Sequence, residues 1–269
     1  FSNRRDHIFI VLNAACKNSD IKHLKSLLEP EILVEEVLNR ALIALQGPAS
    51  ETVLGELNPQ VKNMKFMDVE TLLVSGVECW ISRSGYTGED GFEISIPAAD
   101  AELVTRSILS NENVEFIGLG ARDSLRLEAG LCLYGHDINQ ATTPVEASLT
   151  WAIQKVRRAN GERAGGFIGS KIILKQLDEG TERKRVGFLP QTRAPMREGV
   201  EVFETERSKD TIGIITSGGY GPTVGHPVAM GYIDSKYAQN KNNLFGELRG
   251  KRVPVKVSKI PFVPLNFKR

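Results

Sequence analysis

The chain has 269 residues, enough for one large domain or two modest ones. Its 41% hydrophobic and 25% charged residues are ordinary for a globular protein, and 34 basic against 33 acidic side chains leave a net charge of +1. That balance gives no electrostatic case for nucleic-acid binding, and no apolar run is long enough to cross a bilayer. The three cysteines, Cys16, Cys79 and Cys132, lie far apart, with neither metal-ligand nor disulfide spacing, and read as small buried hydrophobes in a reducing compartment.

Ile8 to Asn13 reads as a short strand close to the start. With no signal or transit peptide before it, the chain is expected to enter a domain part-way through. Ser19 to Leu28 is amphipathic, with Ile21, Leu24, Leu27 and Leu28 at helical spacing and Pro30 beyond its end. Ala41 to Leu45 is a buried-strand candidate, and Ser50 to Leu57 restarts a helix. A β-hairpin follows within Val74 to Ile96: Val77, Cys79 and Ile81 alternate with Glu78, Trp80 and Ser82, and Phe92, Ile94 and Ile96 alternate with Glu93 and Ser95. Helices are expected over Ala98 to Leu109 and Gly118 to Ala129. Arg157 to Gly169, rich in glycine and charge, reads as a linker. Beyond it lie six short strand patterns: Arg185 to Leu189, Val200 to Glu204, Thr211 to Ser217, Val228 to Ile233, Asn243 to Arg249 and Val253 to Ser258. Such spacing suggests a small barrel or sandwich. The irregular mixture before it favours an α+β design.

Ser82 to Ser95 is the most informative stretch. Gly85, Gly88 and Gly91 are expected to give its turn backbone angles closed to other residues. Glu93 falls on the face opposite the core residues, where a carboxylate could accept two parallel N–H bonds from one flat ligand group. A solvated hairpin with an acidic turn is the plainer reading. In the helix from Gly118, Arg122 and Arg126 share a face. Asp123 can pair with Arg126 at three-residue spacing, which leaves Arg122 the freer guanidinium. Asp137 and the nearby threonines look like loop and capping residues, and His136 like an incidental loop histidine. Trp151 could stack on a flat ring or fill a core. Thr216 to Pro222 is a glycine-rich loop without the ending of a phosphate-binding loop. No dinucleotide, zinc-protease, serine-hydrolase or Cys-x-x-Cys signature is present.

These segments occur in a telling order. Gly85-Tyr-Thr-Gly-Glu-Asp-Gly-Phe-Glu93 precedes Ala121-Arg-Asp-Ser-Leu-Arg-Leu-Glu-Ala-Gly-Leu-Cys-Leu-Tyr-Gly135 and Thr143-Pro-Val-Glu146. Ser217-Gly-Gly, Ala229-Met-Gly-Tyr232 and Lys259-Ile-Pro-Phe-Val-Pro264 follow. Together they resemble aminomethyltransferase, the T-protein of the glycine cleavage system, essentially from end to end. The resemblance implies an α+β fold: a ferredoxin-like folate-binding region, incomplete at its N-terminus, over 1–157, then a C-terminal β-barrel over 158–269. With its first elements missing, the α+β part should present an unpaired sheet edge.

It also implies tetrahydrofolate as the folate substrate, the lipoylated H-protein as partner, no metal, and the mitochondrial matrix as location. Neither nucleic acid nor membrane is an expected partner. In that family the methylene of an aminomethyl group on the lipoyl arm passes to tetrahydrofolate with release of ammonia. Carried over by motif, Glu93 and Arg122 are the principal folate contacts. Tyr86 and Trp151 are candidates for ring packing, Arg185 for a basic residue facing the folate, and Phe267, beside Asn266, for an aromatic that closes over it. The family's key aspartate matches a position upstream of Phe1, so no catalytic residue is assigned here. An inactive shortened form and a non-enzymatic folate-binding scaffold of the same fold remain open alternatives.

Overall fold

A computed structural model describes residues 2–3, 6–239 and 243–269. Near its start, β1 (Ser2–Asn3) pairs with β2 (Ile8–Phe9), so the strand expected over Ile8 to Asn13 is only two residues long. α1 (Lys17–Leu28) follows where the apolar periodicity placed it, but none of its residues is fully buried.

An antiparallel four-stranded sheet comes next. Its strands are β3 (Arg40–Gln46), β4 (Val69–Val74), β5 (Val77–Ser82) and β6 (Gly91–Pro97), in the order β3-β6-β5-β4. Among the described residues no strand pairs with the outer side of β3, and Leu42 on that strand is exposed. β3 is therefore half-open rather than the buried strand its apolar run suggests. β4 was not anticipated: Val69-Glu-Thr-Leu-Leu-Val alternates weakly, and its pairing with β5 supplies the order.

α2 (Ser50–Leu57) and α3 (Ala101–Leu109) bury Val53, Leu54, Val104 and Ile108 against Leu45, Cys79, Ile81, Phe92, Ile94 and Ile96. Strand side chains alternate between faces, so this core takes one face of β5 and β6. Glu93, Ser82 and Trp80 go to the other, with Ser82 opposite Glu93 in register.

α4 (Leu119–Glu128) packs on barrel strands, and α5 (Ser170–Glu179) was unforeseen. Six antiparallel strands close a barrel in the order β10-β7-β12-β11-β8-β9. They are β7 (Arg183–Pro190), β8 (Glu201–Phe203), β9 (Thr211–Gly221), β10 (His226–Asp234), β11 (Leu244–Leu248) and β12 (Lys251–Ser258). Each answers one of the six strand patterns. Closure leaves the barrel no free edge. Phe188, Met196, Val202, Ile215, Ala229, Leu244 and Val255 fill it.

The stretch read as a glycine-rich loop at Thr216 to Pro222 is mostly the end of β9. Its glycines serve close approach. A Cβ on Gly218 would lie 1.7 Å from the Met196 carbonyl oxygen, and one on Gly221 would lie 2.8 Å from Glu128 Oε1.

Contacts divide the chain into two compact units: residues 1–85, 89–116 and 267–269, and residues 86–88 and 117–266. These limits differ from the division at 157/158, because α4 packs on β9 and β10 and carries its flanking segments with it.

Candidate functional site

In the first unit, Glu93 sits mid-strand and half-buried on the face away from the core. Ser84 Oγ donates to its Oε2 at 2.7 Å, and the Ser82 and Ser84 hydroxyls lie 2.7 Å apart. Oε1 has no hydrogen-bond partner among the described residues, so the carboxylate is oriented yet keeps acceptor capacity.

The turn before it is shaped by one side chain. Gln46 Nε2 donates to the carbonyls of Ser84 (3.0 Å) and Leu45 (3.2 Å). A Cβ on Gly85 would fall 1.8 Å from Gln46 Oε1, and one on Gly91 would fall 2.5 Å from Nε2. Of the three turn glycines only Gly88 has a positive φ, 81°. Gly85 and Gly91 are thus required for space rather than for backbone freedom.

Sequence reasoning missed the charge cluster beneath this turn. Arg83 is 1% exposed. Its Nε donates to Asp90 at 2.9 Å, Nη2 to Glu51 at 2.6 Å and Nη1 to the Met64 carbonyl at 2.9 Å. Lys268 also bonds Glu51 and holds its carboxyl below the usual carboxylate range. Next to Lys268, Phe267 stacks on Phe66 with ring centroids 4.1 Å apart. The readable signal was an arginine beside the turn with two acids within reach in sequence, Glu89 and Asp90. Its other carboxylate partner, Glu51, is 32 residues away.

In the second unit, the Arg122 guanidinium carbon lies 4.7 Å from the Tyr86 ring centroid, a cation–π contact. Arg122 is exposed and has no ion pair among the described residues. The Tyr86 hydroxyl donates to the Cys132 carbonyl, and burial pushes its pKa up to about 12. Tyr86 is therefore a neutral, fixed platform for Arg122 at physiological pH.

Arg126 pairs with Asp123 as the spacing indicated, at 2.7 Å. It does more: it is buried, and Nη1 also donates to Asp137 (2.8 Å) and Ser217 (3.0 Å). Asp137 is a buried hub and not a simple loop residue. It accepts from Arg126, Ser217, Thr216 and the Leu133 amide, and its carbonyl accepts from the Tyr232 hydroxyl.

The remaining candidates differ in availability. Trp151 is 77% exposed, on a short turn of helix at Thr150–Ala152, so it fills no core. Arg185 is buried, with Nε donating to the Ala147 carbonyl at 2.8 Å and Nη1 to the Gly130 carbonyl at 2.9 Å, while Nη2 has no hydrogen-bond partner among the described residues. Asn266 is tied through its backbone N–H to the Gly88 carbonyl. His136 meets Glu198 at 2.6 Å on the surface. Glu93 and Phe267 thus belong to the first unit, and Tyr86, Arg122, Trp151 and Arg185 to the second.

Comparison with known proteins gives one answer. Residues 2–157 match the GCVT N-terminal domain, and residues 183–264 match the glycine cleavage T-protein C-terminal barrel domain. Mitochondrial aminomethyltransferase of Solanum tuberosum is 42% identical over 97% of this chain and 65% of its own length. That of Dictyostelium discoideum is 38% identical, over 100% of this chain and 69% of its own. The crystal structure of glycine cleavage system aminomethyltransferase T from Bartonella henselae superposes with a TM-score of 0.85 at 41% identity. It covers 96% of this chain and 69% of that one. The chain thus spans about two thirds of the length of the curated relatives it matches. On these matches, and with the α+β sheet and closed barrel in place, the chain belongs to the aminomethyltransferase family, the T-proteins of the glycine cleavage system.

Proposed function

We propose that this chain binds tetrahydrofolate and contributes to aminomethyl transfer in the glycine cleavage system, in the mitochondrial matrix. The reaction passes the methylene of an aminomethyl group, carried on the lipoyl arm of H-protein, to tetrahydrofolate, with release of ammonia. The observation that carries the reading is Glu93: a carboxylate fixed by Ser84 on a sheet face, with Oε1 unengaged among the described residues. A pterin edge presents a ring N–H and an exocyclic amine side by side, and a carboxylate is the matching bidentate acceptor. Arg122, in cation–π contact with Tyr86, is carried over as a donor to the pterin carbonyl. Trp151 offers an uncovered ring for packing. Arg185, whose Nη2 has no hydrogen-bond partner among the described residues, and Phe267, stacked on Phe66, are the further folate contacts carried over from the family. Catalysis of this kind depends on positioning two reactants more than on an acid or base.

The test is anaerobic calorimetric titration of tetrahydrofolate into the 269-residue chain. One saturable site is expected. Glu93→Gln turns one acceptor oxygen into a donor facing the pterin N–H groups and should weaken binding by about 1–3 kcal/mol. An unchanged dissociation constant would remove Glu93 from the site. Absence of binding in a folded sample would remove folate binding from this chain.

A further inference from the structure

Arg157 to Gly169 reads as linker in the sequence, but the structure pins it, with its flanks over residues 150–175, into a knot. Arg158 donates from Nε to the Ile153 carbonyl at 3.0 Å and from Nη2 to the Thr150 carbonyl. Arg157 Nη1 donates to the carbonyls of Gly165 (3.2 Å) and Arg163 (3.4 Å). Backbone bonds from Arg163 to Val156 and from Gly165 to Arg157 close the loop on itself. The segment then enters α5 through Gly169, whose φ is 79°.

The charge in this knot is lopsided. It carries Lys155, Arg157, Arg158, Arg163, Lys171 and Lys175 against the single acid Glu162, in a chain whose total is +1. Lys175 pairs with Glu179. The other five cations have no carboxylate within ion-pair distance among the described residues. Arginine bonds to carbonyls hold the backbone without cancelling the charge, so the field of the knot projects outward. The same segment exposes three large apolar side chains: Trp151 at 77%, Ile168 at 73% and Ile172 at 61%.

We propose that residues 150–175 are a docking surface for an acidic protein, the one that carries the substrate arm. This rests on the reading above that the reacting group arrives attached to a second protein. A substrate delivered that way needs a rigid, exposed surface where its carrier can land. Tryptophan and arginine are the residue types most enriched at the energetic centres of such interfaces, and uncancelled positive charge steers an acidic partner to them. Phosphate-bearing partners fit less well. The forks of Arg157 and Arg158 are turned onto carbonyls, so they give a field but not the bidentate grip that phosphate recognition uses.

The experiment measures binding of lipoylated H-protein to the whole 269-residue chain at low and at high salt. The variant is Lys155→Glu with Arg163→Glu and Lys171→Glu, three exposed side chains with no hydrogen bond or ion pair among the described residues. Its dissociation constant should rise at least tenfold and its salt dependence should flatten, while its tetrahydrofolate affinity stays within about twofold. Ile168→Ala, which removes an exposed apolar side chain given no part in folate binding, should weaken H-protein binding without changing the salt slope. Equal H-protein affinity in wild type and charge-reversed chain overturns the proposal, and so does wild-type binding indifferent to salt. So does a variant that keeps H-protein but loses preference for pentaglutamated over monoglutamated tetrahydrofolate, which would assign the cations to a folate tail. If wild type binds no H-protein, the docking proposal fails, and the tetrahydrofolate titration still decides the folate reading separately.

Discussion

The two units bury arginine in different company. In the first, Arg83 is answered by Asp90 and Glu51, whose side chains keep 17% and 32% exposure. In the second, Arg126 is answered by Asp137, whose side chain is 0% exposed, and the same acid also serves Ser217, Thr216 and the Leu133 amide. Among the described residues Arg185, also in the second unit, has no carboxylate partner and bonds to neutral carbonyl and thioether groups. A buried charge is tolerated when each polar group it faces is satisfied. What differs is where the uncompensated partner could go if the pair were broken. Asp90 and Glu51 can turn to water, whereas the groups around Asp137 cannot.

The sharpest way to break the comparison is Asp137→Ala. It leaves the buried Arg126 charge with only the exposed carboxylate of Asp123 and takes an acceptor from two hydroxyls and an amide. A loss of about 3–5 kcal/mol is expected, read by denaturant unfolding. Arg83→Met keeps the apolar stem but abandons two carboxylates that remain partly hydrated, so about 2–3 kcal/mol is expected. Equal losses from the two variants would mean that partner exposure does not govern the cost. Arg185→Met removes a charge together with bonds to the Gly130 and Ala147 carbonyls. The two effects oppose each other, and a smaller loss of about 1–2 kcal/mol is expected by the same measurement.

The arrangement was legible wherever it is local. Alternation placed Glu93 on the far face from Phe92 and Ile94, and three-residue spacing paired Asp123 with Arg126. All six barrel strands showed as short runs between turn residues. What was hidden depends on distance along the chain. Ser217 reaches Asp137 across 80 residues and Arg83 reaches Glu51 across 32, and no spacing rule encodes such meetings. Gly85 and Gly91 looked like conformational glycines because the obstacle, Gln46, lies on another strand. α5 was missed because the segment between the linker at Arg157 to Gly169 and the strand at Arg185 drew no reading of its own. Its real signature was a ten-residue stretch of good helix formers bracketed by Gly169 and Gly180, both with positive φ.

The smallest effect tests the open side of the comparison through pH. Glu51 is held below the ordinary carboxylate range first by its hydrogen bond to Lys268, then by Arg83 against the opposing effect of burial. Its pKa is lower folded than unfolded, so it contributes stability that is fully present above the unfolded value. That contribution is lost as pH falls from there through the folded value. The first unit should therefore weaken on acidification below about pH 4.5, the ordinary glutamate range. Lys268→Met removes the leading cause of the shift and should flatten this acid limb, by a small loss of stability at neutral pH and none below the folded pKa of Glu51. Glu51 and Lys268 are both partly exposed, and solvent screens such pairs. An acid limb of unchanged steepness in Lys268→Met would mean that Arg83 alone sets the ionisation of Glu51. The first unit's charge cluster would then be as closed as the one around Asp137.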